Sequence, residues 1–497
     1  MLIIAPIFRA GRVPLALMAL ELLAAALLVV TLWQAKALRQ VNRYALWAIA
    51  ALVLLYLLYL LPLPAFLSEM LPRYALHTAV NSAVFGSTST AQGPFSVSLV
   101  PGDTFASLLA LLLPVAVFIA TSAMSGKRRY RLVVLLLWIA GLEAALGLMQ
   151  YGQQTGPLFL GMQRSFGSGT GTYPNRDHLV GLLEMVLPIC LGLFAVSATR
   201  KHRSKARGKL RQHASFLATL KGQKAVVYAF LTFLLLLGII FTKSRTGIAL
   251  TILAILLSLP AFSTRLGGDN SYGKIGTISA IALGLAIMIG LAPILDRFSA
   301  EQLTANTRVA MYSATLEGIG ALLPLGSGPG SFSSIFPAFQ TLDLGKYFVD
   351  HPHNDYLEWF FEWGILLLPI LLLLLIAYVR QWPKVWRQGK WSKLQFAQVG
   401  AGIGILLLAL HSLIDYNLHI PANIIYFAFL AGIFLAPPPL QEATTAPHRH
   451  RSQHSPQSRK EKTEPALPPQ AKPQPPAVDQ IKNPFLDEKQ SSGDEAQ

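Results

Sequence analysis

Long apolar runs alternate with short polar stretches along most of the chain, and hydrophobic residues fill each run almost completely. Each run is close to the ~20 residues that an α-helix needs to cross a bilayer. Eleven runs can be read, near 13–32, 44–64, 105–123, 131–150, 178–198, 225–241, 246–262, 275–294, 364–379, 397–414 and 420–436. This pattern predicts an all-α polytopic membrane protein with about 11–12 transmembrane helices, since a transmembrane barrel would show short alternating strands.

Lysine and arginine cluster in four of the polar stretches. These are 33–43, 126–131, 200–213 and 380–393. Because basic residues accumulate on the cytoplasmic side, the stretches predict cytoplasmic loops, and the span count puts the large segment 295–363 on the opposite side. The same count places the N-terminus outside, whereas Arg9 and Arg12 favour the inside. The side of the N-terminus therefore stays open.

The composition agrees with a membrane protein: 53% of residues are hydrophobic and 13% are charged, against about 25% charged in soluble domains. The net charge of +17 is carried by the membrane part, because acidic and basic residues balance in the tail 437–497. No nucleic-acid partner is expected. The Pro- and Gln-rich tail predicts disorder on the cytoplasmic side. The predicted divisions are N-terminal helices 1–129, a core 130–436 that includes 295–363, and the tail.

The most polar approach to an apolar run is "VDHPHNDYLEWFFEWG", residues 349–364. We expect a helix to begin here, with Asp350 as its cap and Pro352 in its first turn. His353 would then lie near the helix N-terminus, where the macrodipole favours a neutral ring that can accept a proton. An interfacial helix capped by His353 and Asn354 explains the same residues, and that alternative stays open.

Three arginines lie on the same predicted side as His353. Arg245, in "FTKSRTG", joins two spans where basic residues are rare, and a charge at that depth is costly unless it is paired or lines a cavity. Arg308, in "NTRVAMY", and Arg176, in "TYPNRDHLVG", have weaker cases. The alternatives are snorkelling to lipid headgroups for Arg245 and ordinary solvation for the other two. Arginine binds phosphate groups without a metal.

Metal and nucleotide motifs are absent from the sequence of this side. It contains no HExxH and no DxD pair before a span, and Cys190 is the only cysteine of the chain. The loop "GSGPGSF" (326–332) lacks the Lys-Ser/Thr ending of a P-loop and reads as a tight turn. We expect no metal and no cofactor. A histidine base beside arginines that hold a diphosphate would suit a transferase acting on a lipid diphosphate.

Four stretches, in order, resemble the O-antigen ligase family, which shares its core domain with the O-antigen polymerases. They are "TGTYPNRDHLVGLLEMVLP" (170–188), "TKSRTGIAL" (242–250), "TRVAMYSATLEGIGALLPLGSGPGSF" (307–332) and "HPHNDYLEWFFEWGILL" (351–367). The last is similar to the family's His-Asn-x-x-Leu…Gly pattern, with His353, Asn354, Leu357 and Gly364 at the matching positions.

The resemblance implies a GT-C-like membrane glycosyltransferase that moves a glycan from undecaprenyl diphosphate to an acceptor hydroxyl. It implies a site at the periplasmic face of a bacterial inner membrane, no metal, and inversion at the anomeric carbon. The family's key histidine maps to His353, supported by Asn354, and its diphosphate-binding arginines map to Arg245 and Arg308, with Arg176 as a third contact. A ligase uses lipid A-core as acceptor and a polymerase uses another lipid-linked glycan; we favour the ligase, and the acceptor stays open.

Two other classes of protein remain as alternatives. A transporter of lipid-linked glycans would place charges in the middle of spans and break its helices. Here the charges cluster at one end, although Glu143 and Glu184 lie within predicted spans without explanation. A non-catalytic scaffold would recruit partners through the tail 437–497.

Overall fold

The bundle is built from long apolar helices, as the sequence pattern predicts. The computed structural model describes residues 1–34, 38–64, 95–152, 167–199, 214–265, 302–345, 348–386 and 389–438, with isolated positions at 66, 69, 70, 78 and 284. Among these residues, nine helices are long and apolar enough to cross a membrane. The predicted span 275–294 apart from position 284, the loop 200–213 and nearly all of the tail lie outside the described residues.

Thirteen helices of nine or more residues lie in the described ranges. They are α1 (Pro14–Leu32), α2 (Arg43–Leu60), α3 (Pro101–Ala110), α4 (Leu112–Ala123), α5 (Gly126–Gly152), α6 (Arg176–Ala198), α7 (Leu220–Thr242), α8 (Arg245–Ser263), α9 (Gln302–Leu322), α10 (Asp355–Trp363), α11 (Leu368–Val385), α12 (Lys393–His411) and α13 (Pro421–Leu435). Short helical turns lie at Ile7–Ala10, Leu38–Gln40, Phe332–Ile335, Phe336–Ala338, Leu342–Leu344, Gly364–Leu367 and Asn417–His419. Strands β1 (Pro62–Leu63) and β2 (Phe95–Ser96) pair antiparallel.

The predicted spans agree with the structure apart from their ends. Nine of the predicted spans match the nine long apolar helices, where the helix pairs α3–α4 and α10–α11 each count as one span. The predicted run 420–436 corresponds to the shorter helix α13. Two predicted loops are partly helical: residues 126–131 form the first turns of α5, and 380–385 the last turns of α11. The segment 295–363 contains the 21-residue helix α9, which was not predicted because it has no uninterrupted apolar run.

Helix α6 forms the centre of the bundle. In its most apolar window 94% of the residues are buried, against 17% for α1. Helix α12 packs directly on it through glycines spaced by four: a Cβ on Gly400 would lie 2.6 Å from Ile189 Cα, and one on Gly404 would lie 2.2 Å from the Met185 carbonyl oxygen. Small residues at this spacing let two helix backbones approach closely. The contact fixes the height of the polar ends of both helices relative to each other.

The polar connections sort to the two ends of the bundle as the charge pattern predicts. At one end Arg380 donates a hydrogen bond to the Tyr44 hydroxyl, and the guanidinium of Arg265 lies over the rings of Trp386 and Trp391. The N-terminal segment lies at the opposite end, where Arg12 forms a 3.0 Å ion pair with Asp350. Arg12 therefore lies at the end of the bundle that carries His353.

Candidate active site

Helix α10 begins at Asp355, and its cap is Asn354. The Asn354 side-chain oxygen accepts hydrogen bonds from the backbone N–H groups of Tyr356 and Leu357, both at 3.0 Å. The prediction that Asp350 caps the helix is wrong. Its carboxylate is instead paired with Arg12. His351 and Arg12 lower the pKa of Asp350 below its ordinary value, although burial opposes this shift. His353 therefore precedes the cap and does not lie in the first helical turn.

The backbone of His353 has a φ of +55°, a conformation uncommon outside glycine. The turn directs the imidazole away from α10 and toward the connection between α12 and α13, where Nδ1 lies 2.9 Å from Asp415 Oδ1. Asp415 is buried. Because an ionised carboxylate only accepts hydrogen bonds, Nδ1 carries a proton, and a neutral form of the ring would have its lone pair at Nε2.

Asp415 lies between two histidines. Its second oxygen is 3.7 Å from Nε2 of the buried His178, and its first also accepts a hydrogen bond from the Tyr416 backbone N–H. Although burial opposes ionisation, His178 and His353 hold the pKa of Asp415 well below its usual range. An ionised carboxylate at Nδ1 keeps His353 in one tautomer and stabilises the imidazolium that forms when Nε2 takes a proton.

Arg308 is connected to His353 through helix α9. Tyr312, one turn after Arg308, donates a 3.0 Å hydrogen bond to the His353 carbonyl oxygen. Burial raises the pKa of Tyr312, and the nearby charge of Arg308 opposes that rise. Since residues four apart share a helix face, Arg308 lies on the face of α9 that is turned toward His353.

Arg245 and Arg176 are the first residues of two neighbouring helices at this same end. Arg245 begins α8 after the cap Ser244, and Arg176 begins α6 after the cap Asn175. The two helix starts are in close contact, since a Cβ on Gly247 would lie 2.3 Å from a Val180 methyl group. The start of α6 is also tied to His353, because His178 faces Asp415. All four predicted residues therefore lie at one end of the bundle.

A second group of histidines and carboxylates lies beside the first. His351 Nδ1 is 2.9 Å and 3.0 Å from the two Glu358 oxygens, and His419 Nε2 is 3.4 Å from Glu358 Oε1. His419 Nδ1 is bound to Asp355 at 2.6 Å. Burial lowers the pKa of His419, but Glu358 and Asp355 outweigh it and raise that pKa to about 10. This group could not be predicted from the sequence, because His419 follows its partners by more than 60 residues.

The glycine-rich turn faces protein groups. The N–H groups of Ser327 and Gly328 bind the carbonyl oxygens of Phe361 and Glu362, both at 2.9 Å, and the Phe332 N–H binds the Glu362 carboxylate at 3.1 Å. These donors are the ones that a phosphate would need. The interpretation as a tight turn therefore fits better than a phosphate cradle, and the turn fixes the far end of α10.

An apolar pocket of about 430 Å³ opens beside the second group. Side chains from α1, α2, α3, α4, α10, α11 and α13 line it, and Glu362 and His419 are among its few polar lining residues. A pocket of this composition suits a hydrocarbon chain better than a sugar. It adjoins the end of the bundle that carries His353.

The two unexplained carboxylates of the sequence analysis have partners. Glu143 accepts hydrogen bonds from the Thr172 backbone N–H and hydroxyl, both at 2.9 Å, and so holds the segment that precedes Arg176. Glu184 lies 2.8 Å from Nδ1 of His411, the last residue of α12. Sequence reasoning also missed Asp415 and His178. The polar run "HSLIDYNLH" (411–419) between two spans was the signal that could have indicated Asp415.

The chain was compared with known proteins. No curated protein matches it. Residues 230–372 match the family model described as O-antigen ligase (Wzy_C), whose members are ligase- and polymerase-type membrane glycosyltransferases. The match includes Arg245, Arg308 and the whole stretch 349–364. The chain is thus a multi-pass membrane protein whose residues 230–372 match the O-antigen ligase family model. This match confirms the resemblance over three of the four stretches, and the stretch 170–188 lies outside it.

Proposed function

We propose that this protein transfers a glycan from undecaprenyl diphosphate to the hydroxyl group of lipid A-core. The site would lie at the periplasmic face of a bacterial inner membrane, and the tail 437–497 would be cytoplasmic. The basic connections at the opposite end of the bundle support this orientation. In the alternative, the same chemistry extends a second lipid-linked glycan, as in a polymerase.

The His353–Asp415 pair is the observation that carries the proposal. A neutral imidazole whose Nδ1–H is held by a buried carboxylate is suited to accept a proton at Nε2. The acceptor hydroxyl would lose its proton to Nε2 as its oxygen attacks the anomeric carbon from the face opposite the diphosphate. That geometry inverts the anomeric centre, and the lipid diphosphate leaves with the bonding electron pair.

The arginines would supply the charge that the leaving diphosphate needs. Arg308 faces His353 from α9, and Arg245 begins a neighbouring helix at the same end. Guanidinium groups bind phosphate oxygens in a forked geometry, so this step of the reaction uses no metal. Arg176, at the start of α6, is a third contact. Asn354 supports the site, since its cap and its bond to the Leu413 carbonyl oxygen fix the turn that carries His353.

The lipid part of the donor would occupy the apolar pocket. Its lining is mostly hydrocarbon from seven helices, and its position lets a prenyl chain stay among the helices while the sugar remains at the bundle end. The pocket therefore matches a substrate that is apolar at one end and charged at the other.

Deletion of the gene, followed by gel analysis of lipopolysaccharide, tests the function. A ligase predicts loss of all long chains and accumulation of lipid-linked polymer. A polymerase predicts a core that carries a single repeat unit. Unchanged lipopolysaccharide, with the glycan of another surface polymer also unchanged, would contradict both forms of the proposal. Complementation with the wild-type gene is the matched control.

A further inference from the structure

His351, Glu358 and His419 bring three donor atoms to one point. One imidazole nitrogen of each histidine and a carboxylate oxygen of Glu358 all lie within 4.8 Å of one another. Two of the three separations are 2.9 Å and 3.4 Å. Metal–ligand distances of about 2.0–2.1 Å in tetrahedral zinc sites separate the ligand atoms by about 3.3 Å. Only the edge between the two histidines needs to shorten.

The residues around the three donors hold them in the orientation that a metal requires. Asp355, fully buried, binds Nδ1 of His419 at 2.6 Å and accepts a hydrogen bond from the Leu418 backbone N–H at 3.0 Å. With Nδ1 bound to a carboxylate, Nε2 of His419 points to Glu358, where a bound metal would replace its proton. This carboxylate–histidine arrangement is the usual outer support of a metal-bound imidazole.

The chemistry of the donors selects the cation. Two imidazole nitrogens and one carboxylate oxygen suit zinc and its neighbours, whereas calcium and magnesium prefer oxygen ligands alone. Glu358 and Asp355 together balance the charge of a divalent ion. The histidine side chains are 17% and 23% exposed, so water could reach a fourth position.

From these contacts we propose that His351, Glu358 and His419 bind a divalent transition metal of the zinc class, with Asp355 orienting His419. The site joins the loop before α10, α10 itself and the turn before α13. His351 also stacks on Tyr416, with ring centroids 4.3 Å apart, and Tyr416 contacts His353 on another side. The metal would therefore brace the segments that position His353, and this proposal does not depend on the transfer reaction.

Cobalt binding tests the site without any measurement of activity. The full-length chain, purified in detergent without a histidine tag and freed of metal, is titrated with Co²⁺. We expect one tightly bound ion per chain with the intense visible absorption of low-coordinate cobalt, displaced by an equal amount of Zn²⁺. The variants His351→Ala and His419→Gln should bind at least about a hundredfold more weakly. The tail histidines 448, 450 and 454 are present in every sample, so their binding cancels in the comparison.

His353→Ala is the matched control. It removes a neighbouring histidine that contacts the same tyrosine, yet it leaves all three donors in place, so its cobalt spectrum and stoichiometry should equal those of the wild type. Should His419→Gln fail to fold, the loop variant His351→Ala decides the result. The proposal is overturned if cobalt binds only at millimolar concentration, or if both ligand variants keep the wild-type spectrum. Two histidine–carboxylate ion pairs without a metal would give that outcome.

Discussion

Tyr416 contacts two groups of histidines and carboxylates that contain the same residue types and differ in geometry. In the first, buried Asp415 faces His353 and His178, and we propose that the Nε2 atom of His353 takes the proton of the acceptor. In the second, His351 and His419 both direct a nitrogen to the one carboxylate of Glu358. Donor atoms that converge make a cation site, whereas a single held histidine makes a base. The orientation of each ring therefore separates the two chemical roles that we propose.

His353→Ala should have the largest effect, because it removes the base that defines the first group. We expect turnover to fall by about 10²–10⁴-fold, the usual contribution of general-base catalysis. Donor binding should stay close to that of the wild type, since the arginines remain. The measurement is single-turnover glycan transfer by the reconstituted protein, together with equilibrium binding of the lipid-linked donor. Loss of donor binding would instead assign His353 to diphosphate recognition.

Arg308→Ala and Arg245→Ala should each lower turnover by about 10²–10³-fold, because each removes a cation that stabilises charge on the leaving diphosphate. The same transfer assay measures the effect. Lys243→Ala is the matched control: Lys243 lies in the same turn as Arg245, but its ammonium lies over the Tyr151 ring at 5.0 Å. If either arginine variant turned over at the wild-type rate, that residue would not belong to the diphosphate site.

Asp415→Asn should have a smaller effect than His353→Ala, because Asp415 acts only through His353. Asparagine keeps the size of the side chain but not the charge that stabilises imidazolium, so we expect a loss of at least about tenfold in kcat. The KM for the donor should be unchanged, and Asp415→Glu should recover part of the rate. A parallel fall in melting temperature, with no change in kcat for the folded fraction, would indicate that Asp415 has a structural role alone.

The sequence predicted the spans well, because length and hydrophobicity alone decide whether a helix can cross a bilayer. It placed His353 and the three arginines on one side through the charge pattern of the loops. It misplaced the start of α10, since Asp350 and Asn354 are both good caps, and only the tertiary ion pair with Arg12 decides between them.

The partners of His353 and His351 could not be predicted in the same way. Asp415 and His419 lie beyond a further pair of spans, and a single sequence carries no record of which distant loops meet. Their approach depends on the packing of α12 against α6 through Gly400 and Gly404, which sets the height of the turn at 412–420. Helix α9 was missed for a related reason: its sequence mixes polar and apolar residues, and contacts such as Tyr312 with His353 hold its position.

Metal removal should have the smallest effect on transfer. It therefore tests most directly whether the two histidine–carboxylate groups have separate roles. If the second group braces the fold while the first performs the chemistry, EDTA treatment should leave initial turnover close to that of the untreated protein at a temperature well below melting. It should nevertheless lower the melting temperature, and added Zn²⁺ should restore it. His351→Ala, already without a complete donor set, should show no melting shift with EDTA. A large and immediate loss of turnover on chelation, at unchanged stability, would mean that the converging donors also take part in the transfer and that the two groups are one site.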